Sequence, residues 1–170
     1  PMRSTFILVL LIFSFVASAQ TFARFDLDKG YYDSGPALFT VVGNNMFFTA
    51  ADTNGRELWV TDGTDTGTHM VKDITPGNAP SDIRYMAALG DTLYFSTTDT
   101  SYLTSLWRSD GTDSGTYCIK RLGLRCLPNQ LSGGLTGNLI SYNHKLLFFE
   151  RDSTDGRLWA SDGTDAGSHI

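Results

Sequence analysis

The chain has 170 residues, 18 Asp and Glu against 13 Lys and Arg, a formal net charge of −5 and 41% hydrophobic residues. That length and apolar content suffice for one modest core. The acidic balance argues against a nucleic-acid partner, because backbone phosphates require concentrated Lys and Arg, and the densest basic group is only Lys120, Arg121 and Arg125.

Residues 1–19 read as a secretory signal peptide. Arg3 supplies the positive start, Phe6 to Val16 an apolar run, and Ala17-Ser18-Ala19 the small residues that predict cleavage before Gln20. The apolar run is shorter than the roughly 20 residues a membrane helix needs. No later stretch is longer, so no transmembrane segment is expected after cleavage. A secreted or cell-surface location follows; an uncleaved anchor or a buried strand is the alternative reading of the same run.

Residues 20–170 form a repeat region. Leu58-Trp59-Val60-Thr61-Asp62-Gly63-Thr64, Leu106-Trp107-Arg108-Ser109-Asp110-Gly111-Thr112 and Leu158-Trp159-Ala160-Ser161-Asp162-Gly163-Thr164 are three copies of one pattern, and they hold all three tryptophans. A spacing near 50 residues signals stacked supersecondary units. The first and second units align as a gapless copy at period 48. The third is displaced by four residues, and the extra length is expected between Leu122 and Gly134 and between Asp152 and Gly156.

Each unit predicts four short strands, with β-branched and aromatic runs separated by Gly, Asp and Asn. The first unit (about 36–77) has candidates at Ala37 to Val42, Met46 to Ala51, Glu57 to Thr61 and Thr68 to Ile74, with Asn54-Gly55 as a hairpin signal. The second (about 82–122) has candidates near 83–88, 92–97, 104–109 and 116–121. The third (about 135–170) has candidates near 137–142, 145–150 and 157–161, and a fourth strand beginning at Ser168. Gly133, Gly134 and Gly137 read as a flexible polar linker. Helical periodicity is absent after the signal peptide.

The expected fold class is therefore all-β: repeated four-stranded antiparallel sheets forming a partial or truncated β-propeller of about three blades. Trp59, Trp107 and Trp159 are expected to pack between neighbouring sheets, with Gly63, Gly111 and Gly163 shaping the following turns. Closing a ring takes at least four blades. The expectation is thus a piece of a longer protein, further blades from another copy, or closure by residues 22–28, which resemble a fourth strand without its preceding three.

Glu57-Leu58-Trp59-Val60-Thr61-Asp62-Gly63-Thr64, with Gly67-Thr68, Val71-Lys72-Asp73-Ile74-x-Pro76-Gly77 and Gly43-Asn44-x-Met46-Phe47-Phe48, resembles the secreted bacterial ELWxxDGT-repeat family. The later copies depart from it, with Ser105 and Arg157 at the glutamate position and Lys120-Arg121-Leu122 in place of Lys-Asp-Ile. The resemblance covers nearly all of residues 25–170. It implies a propeller-like extracellular protein and brings no catalytic residues.

Candidate site residues are few. Asp62, Asp65, Asp110, Asp113, Asp162 and Asp165 place an Asp-Gly-Thr-Asp loop in every unit; such oxygens can close turns or ligate calcium. Asp52 to Glu57 admits the same two readings. Cys118 and Cys126 fit a disulfide in an oxidising compartment, with two buried thiols as the alternative. His69, His144 and His169 lack partners at zinc spacing, and no nucleophile–base pattern or cofactor fingerprint is present. The expected function is a scaffold for protein or glycan binding and adhesion, without catalysis and without a required cofactor. A purely structural matrix or surface-layer module and a fragment of a propeller hydrolase are the alternatives.

Overall fold

The computed structural model describes residues 27, 33–99, 103–125, 134–135, 139–151 and 156–168. The signal-peptide assignment lies outside these residues, and so does the 22–28 strand apart from Leu27. Among the described residues there is no helix, and the strands form three antiparallel sheets.

The first sheet runs β1 (Ala37–Val42), β2 (Asn45–Asp52), β3 (Gly55–Thr61) and β4 (His69–Lys72), in that order. The second repeats the meander with β5 (Ile83–Leu89), β6 (Thr92–Thr98), β7 (Leu103–Ser109) and β8 (Tyr117–Arg125). In the third, β11 (Lys145–Arg151) lies between β12 (Gly156–Ser161) on one edge and, on the other, β9 (Gly134–Leu135) and β10 (Ile140–Tyr142).

Gly134 is thus paired with Arg151 in a sheet, a correction to its reading as linker. The β4 strand stops at Lys72, short of the expected Ile74, while β8 extends beyond the expected 121 to Arg125.

The registers also correct the repeat alignment. Phe48 pairs with Trp59, Phe95 with Trp107 and Phe148 with Trp159. The phenylalanines of the first two pairs are 47 apart and the tryptophans 48, so the second unit is not a gapless copy. The inserted residue lies in the hairpin, because Asp52 pairs with Gly55 across two residues whereas Asp99 N–H reaches Leu103 O across three. Phe148 and Trp159 each stand 100 residues after Phe48 and Trp59. The third hairpin therefore has the first hairpin's length, and the extra residues all precede β11.

Alternation along the strands gives each sheet two apolar faces. Val42, Phe47, Leu58, Val60 and Val71 of the first sheet meet Leu93, Phe95 and Trp107 of the second. The second sheet's opposite face, with Ala87, Tyr94 and Leu106, meets Leu146, Phe148 and Trp159 of the third. Trp107 and Trp159 therefore lie between sheets, and each stacks on its cross-strand phenylalanine, at 6.2 and 5.9 Å between ring centroids. Trp59 differs. It packs with Phe48, Ala50, Met70 and Leu27 on the outward face of the first sheet.

Candidate functional site

The Asp-Gly-Thr turns are built identically from their own side chains. Asp62 Oδ1 accepts hydrogen bonds from the Thr64 amide at 2.9 Å and the Thr64 hydroxyl at 2.7 Å. Gly63 N–H donates to Thr61 Oγ1, whose hydroxyl group also bonds Thr68 Oγ1 at 2.7 Å, and Gly67 N–H donates to Thr64 Oγ1. Asp110 and Asp162 make the same pair of bonds with Thr112 and Thr164. Because these bonds favour the charged form, the threonine hydroxyl first and its amide second, the Asp62 and Asp110 carboxyls are held below their ordinary range.

Gly63, Gly111 and Gly163 take φ of +90°, +93° and +93°, a region open to glycine at little cost. A second glycine matters as much, and the repeat motif shows it at Gly67 without showing what it does. A Cβ on Gly67, Gly115 or Gly167 would collide with the carboxylate of Asp62, Asp110 or Asp162. The signal was available in the recurrence of glycine five residues after each of these aspartates.

The later aspartate of the loop joins adjacent sheets. Lys72 on β4 reaches Asp113 in the second sheet's turn at 3.0 Å, and Lys120 on β8 reaches Asp165 in the third sheet's turn at 2.9 Å. Lys120 also lies 5.7 Å above the Trp159 ring. A ring seats on the same turn each time: a Cβ on Gly111 would meet Phe47 at 3.5 Å, and one on Gly163 would run into Tyr94. Ring on glycine, lysine on aspartate and apolar face on apolar face make one joint, used twice. Asp65 has no ion-pair partner among the described residues.

Of the six aspartates of the calcium reading, Asp62, Asp110 and Asp162 close turns and Asp113 and Asp165 serve the joint, while the Asp65 side chain has neither role among the described residues. Among the described residues no three His, Cys, Asp or Glu side chains come together as a metal group. A cation at these turns would compete for oxygens that the fold already uses. Cys118 is half-buried on β8, and its expected disulfide partner Cys126 lies outside the described residues. His69 ends up exposed on β4 and His144 exposed in the β10–β11 turn, and His169 lies outside the described residues.

Glu57, the motif glutamate, anchors the crossover between the first two sheets. It is fully buried, and its Oε2 accepts from Ile74 N–H at 3.0 Å and Ser81 Oγ at 2.7 Å, while Oε1 has no partner. Ser81 N–H in turn donates to Arg56 O. Burial dominates over these bonds and pushes the Glu57 carboxyl from 4.5 up to about 7, with neighbouring Asp73 adding to the rise. Between those values the folded chain keeps a proton that the unfolded chain releases. Stability should therefore fall by about 3 kcal/mol as pH rises from 4.5 through about 7, levelling off above that. Chemical denaturation across this range should show the slope in the wild type and lose it in Glu57→Gln.

One strand from each of the three sheets, β1, β5 and β10, borders an open cleft of about 430 Å³. Leu38, Phe39, Tyr85, Met86, Leu139 and Ile140 make it largely apolar, and Arg84, paired with Asp82 at 2.8 Å, brings a cation to its wall. Phe39 is 58% exposed, and Ile140 is 49% exposed. Exposed apolar residues gathered at a concave opening are the surface feature here that asks for a ligand. Among the described residues no helix is long and apolar enough to cross a membrane.

Compared with protein-family models, with curated proteins and with solved structures, the chain finds no match.

Proposed function

We propose that this chain is a secreted or cell-surface scaffold of the ELWxxDGT-repeat kind, a propeller-like stack that binds a protein or glycan ligand at its inner cleft. The observation that carries this reading is the apolar opening shared by β1, β5 and β10, one strand from each sheet. The twice-used joint supports radial stacking, since it sets successive sheets in the same relation, with β1, β5 and β10 at one opening. Tyr85 and Phe39 offer rings for stacking on a sugar face or an apolar side chain.

The test is binding of the purified chain to a glycan array and to extracellular proteins, repeated with Phe39→Ser and Ile140→Ser. Both side chains are largely exposed, so their replacement should leave the melting temperature within a few degrees and weaken binding about tenfold or more. A ligand held equally well by both variants would place binding elsewhere. No ligand from either class would leave the purely structural module as the better reading.

A further inference from the structure

The two outer faces of the stack carry the two halves of the joint that the inner faces have already made. On the receiving side, Leu93 and Leu146 are fully buried beneath the preceding sheet, whereas their counterpart Met46 on the first sheet is only half-buried. Gly111 and Gly163 each carry a ring from the preceding sheet, whereas a Cβ on Gly63 would meet nothing within 4 Å. Met46, Phe48, Thr61, Gly63 and Thr68 instead border a socket of about 250 Å³, with Leu27 and Phe39 on its wall. On the delivering side, Leu58 and Leu106 are fully buried, whereas their counterpart Leu158 on the third sheet is 57% exposed and Phe149 beside it is 42% exposed. Leu147, at the repeat position of Phe47 and Tyr94, is the side chain placed to fill the socket.

We propose that a second copy of this chain docks head to tail, the outward face of its third sheet seating on the outward face of the first sheet. The occupant is specified by continuity with the existing joint, because the face that would arrive has the same repeat positions that pack at both inner contacts. The contact is heterologous, pairing one surface with a different one, so it builds closed rings or open chains according to the rotation between copies. It uses the two ends of the stack. Phe39 borders both the cleft and the socket, so Ile140→Ser, which touches only the cleft, is the substitution that separates ligand binding from self-association.

Sedimentation equilibrium of the purified chain, alone and with Met46→Glu or Leu158→Glu, tests this. The wild type should associate with increasing concentration, and each variant should weaken association at least tenfold. Mixing the two variants should restore pairing, because Met46→Glu retains an intact third sheet and Leu158→Glu an intact first sheet, but growth should stop at a dimer. Circular dichroism melts establish that both variants fold; Met46→Leu and Leu158→Met, which keep the faces apolar, should associate like the wild type. A wild type that stays monomeric at several hundred micromolar, or folded variants whose mixture fails to pair, would overturn the proposal.

Discussion

Replacing Trp107 with alanine should destabilise the chain by about 3–5 kcal/mol. Trp107 stacks on the fully buried Phe95 and packs against the apolar face of the first sheet, so its removal opens a void in the joint and not merely on one sheet. A domain is held by only about 5–15 kcal/mol in total, and at this chain length the loss corresponds to a fall in melting temperature of roughly 10 °C. Thr53→Ala, at an exposed hairpin position, should stay within about 0.5 kcal/mol. Urea denaturation of the two variants gives the comparison. A Trp107→Ala cost below about 1 kcal/mol would mean that the first two sheets do not depend on this contact.

Gly115→Ala should cost about 2–3 kcal/mol, a large effect for one methyl group on a surface turn. The added Cβ and the Asp110 carboxylate cannot share their space, so the carboxylate must leave the Thr112 amide and hydroxyl it accepts from. The collision predicts a specific coupling: in Asp110→Ala the space is vacant, so the double variant should be clearly less unstable than the sum of the single changes. Additive costs would mean that the damage comes from elsewhere in the turn.

Much of this architecture was legible because it was written three times. The Phe-Phe and Leu-Trp runs alternate with turn residues, and a period near 50 excluded a single irregular domain, so the strands fall close to where they were expected. Register was harder. The inserted residue between Asp99 and Leu103 changes no hydrophobic pattern, and only the pairing of Phe95 with Trp107 places it. The Glu57 anchor was hidden for another reason: its partners Ile74 and Ser81 are 17 and 24 residues away, and no sequence pattern marks either as a partner of a buried carboxyl. The lysine partners of Asp113 and Asp165 were hidden because a single unit shows the acid and not the lysine that meets it. Lys72 and Lys120 find their acids 41 and 45 residues further on, in the next unit. The inner cleft was invisible from sequence, since it exists only where β1, β5 and β10 converge.

The account depends most on one joint recurring between successive sheets, and proton NMR reads it directly. Phe47 ring protons should show cross-relaxation to the Gly111 α-protons, and Tyr94 ring protons to those of Gly163, with both glycines shifted by the ring currents. Both contacts are expected in the same spectrum. Loss of both, with the cross-strand contacts of Phe95 to Trp107 and Phe148 to Trp159 still present, would leave three formed sheets without the packing that unites them.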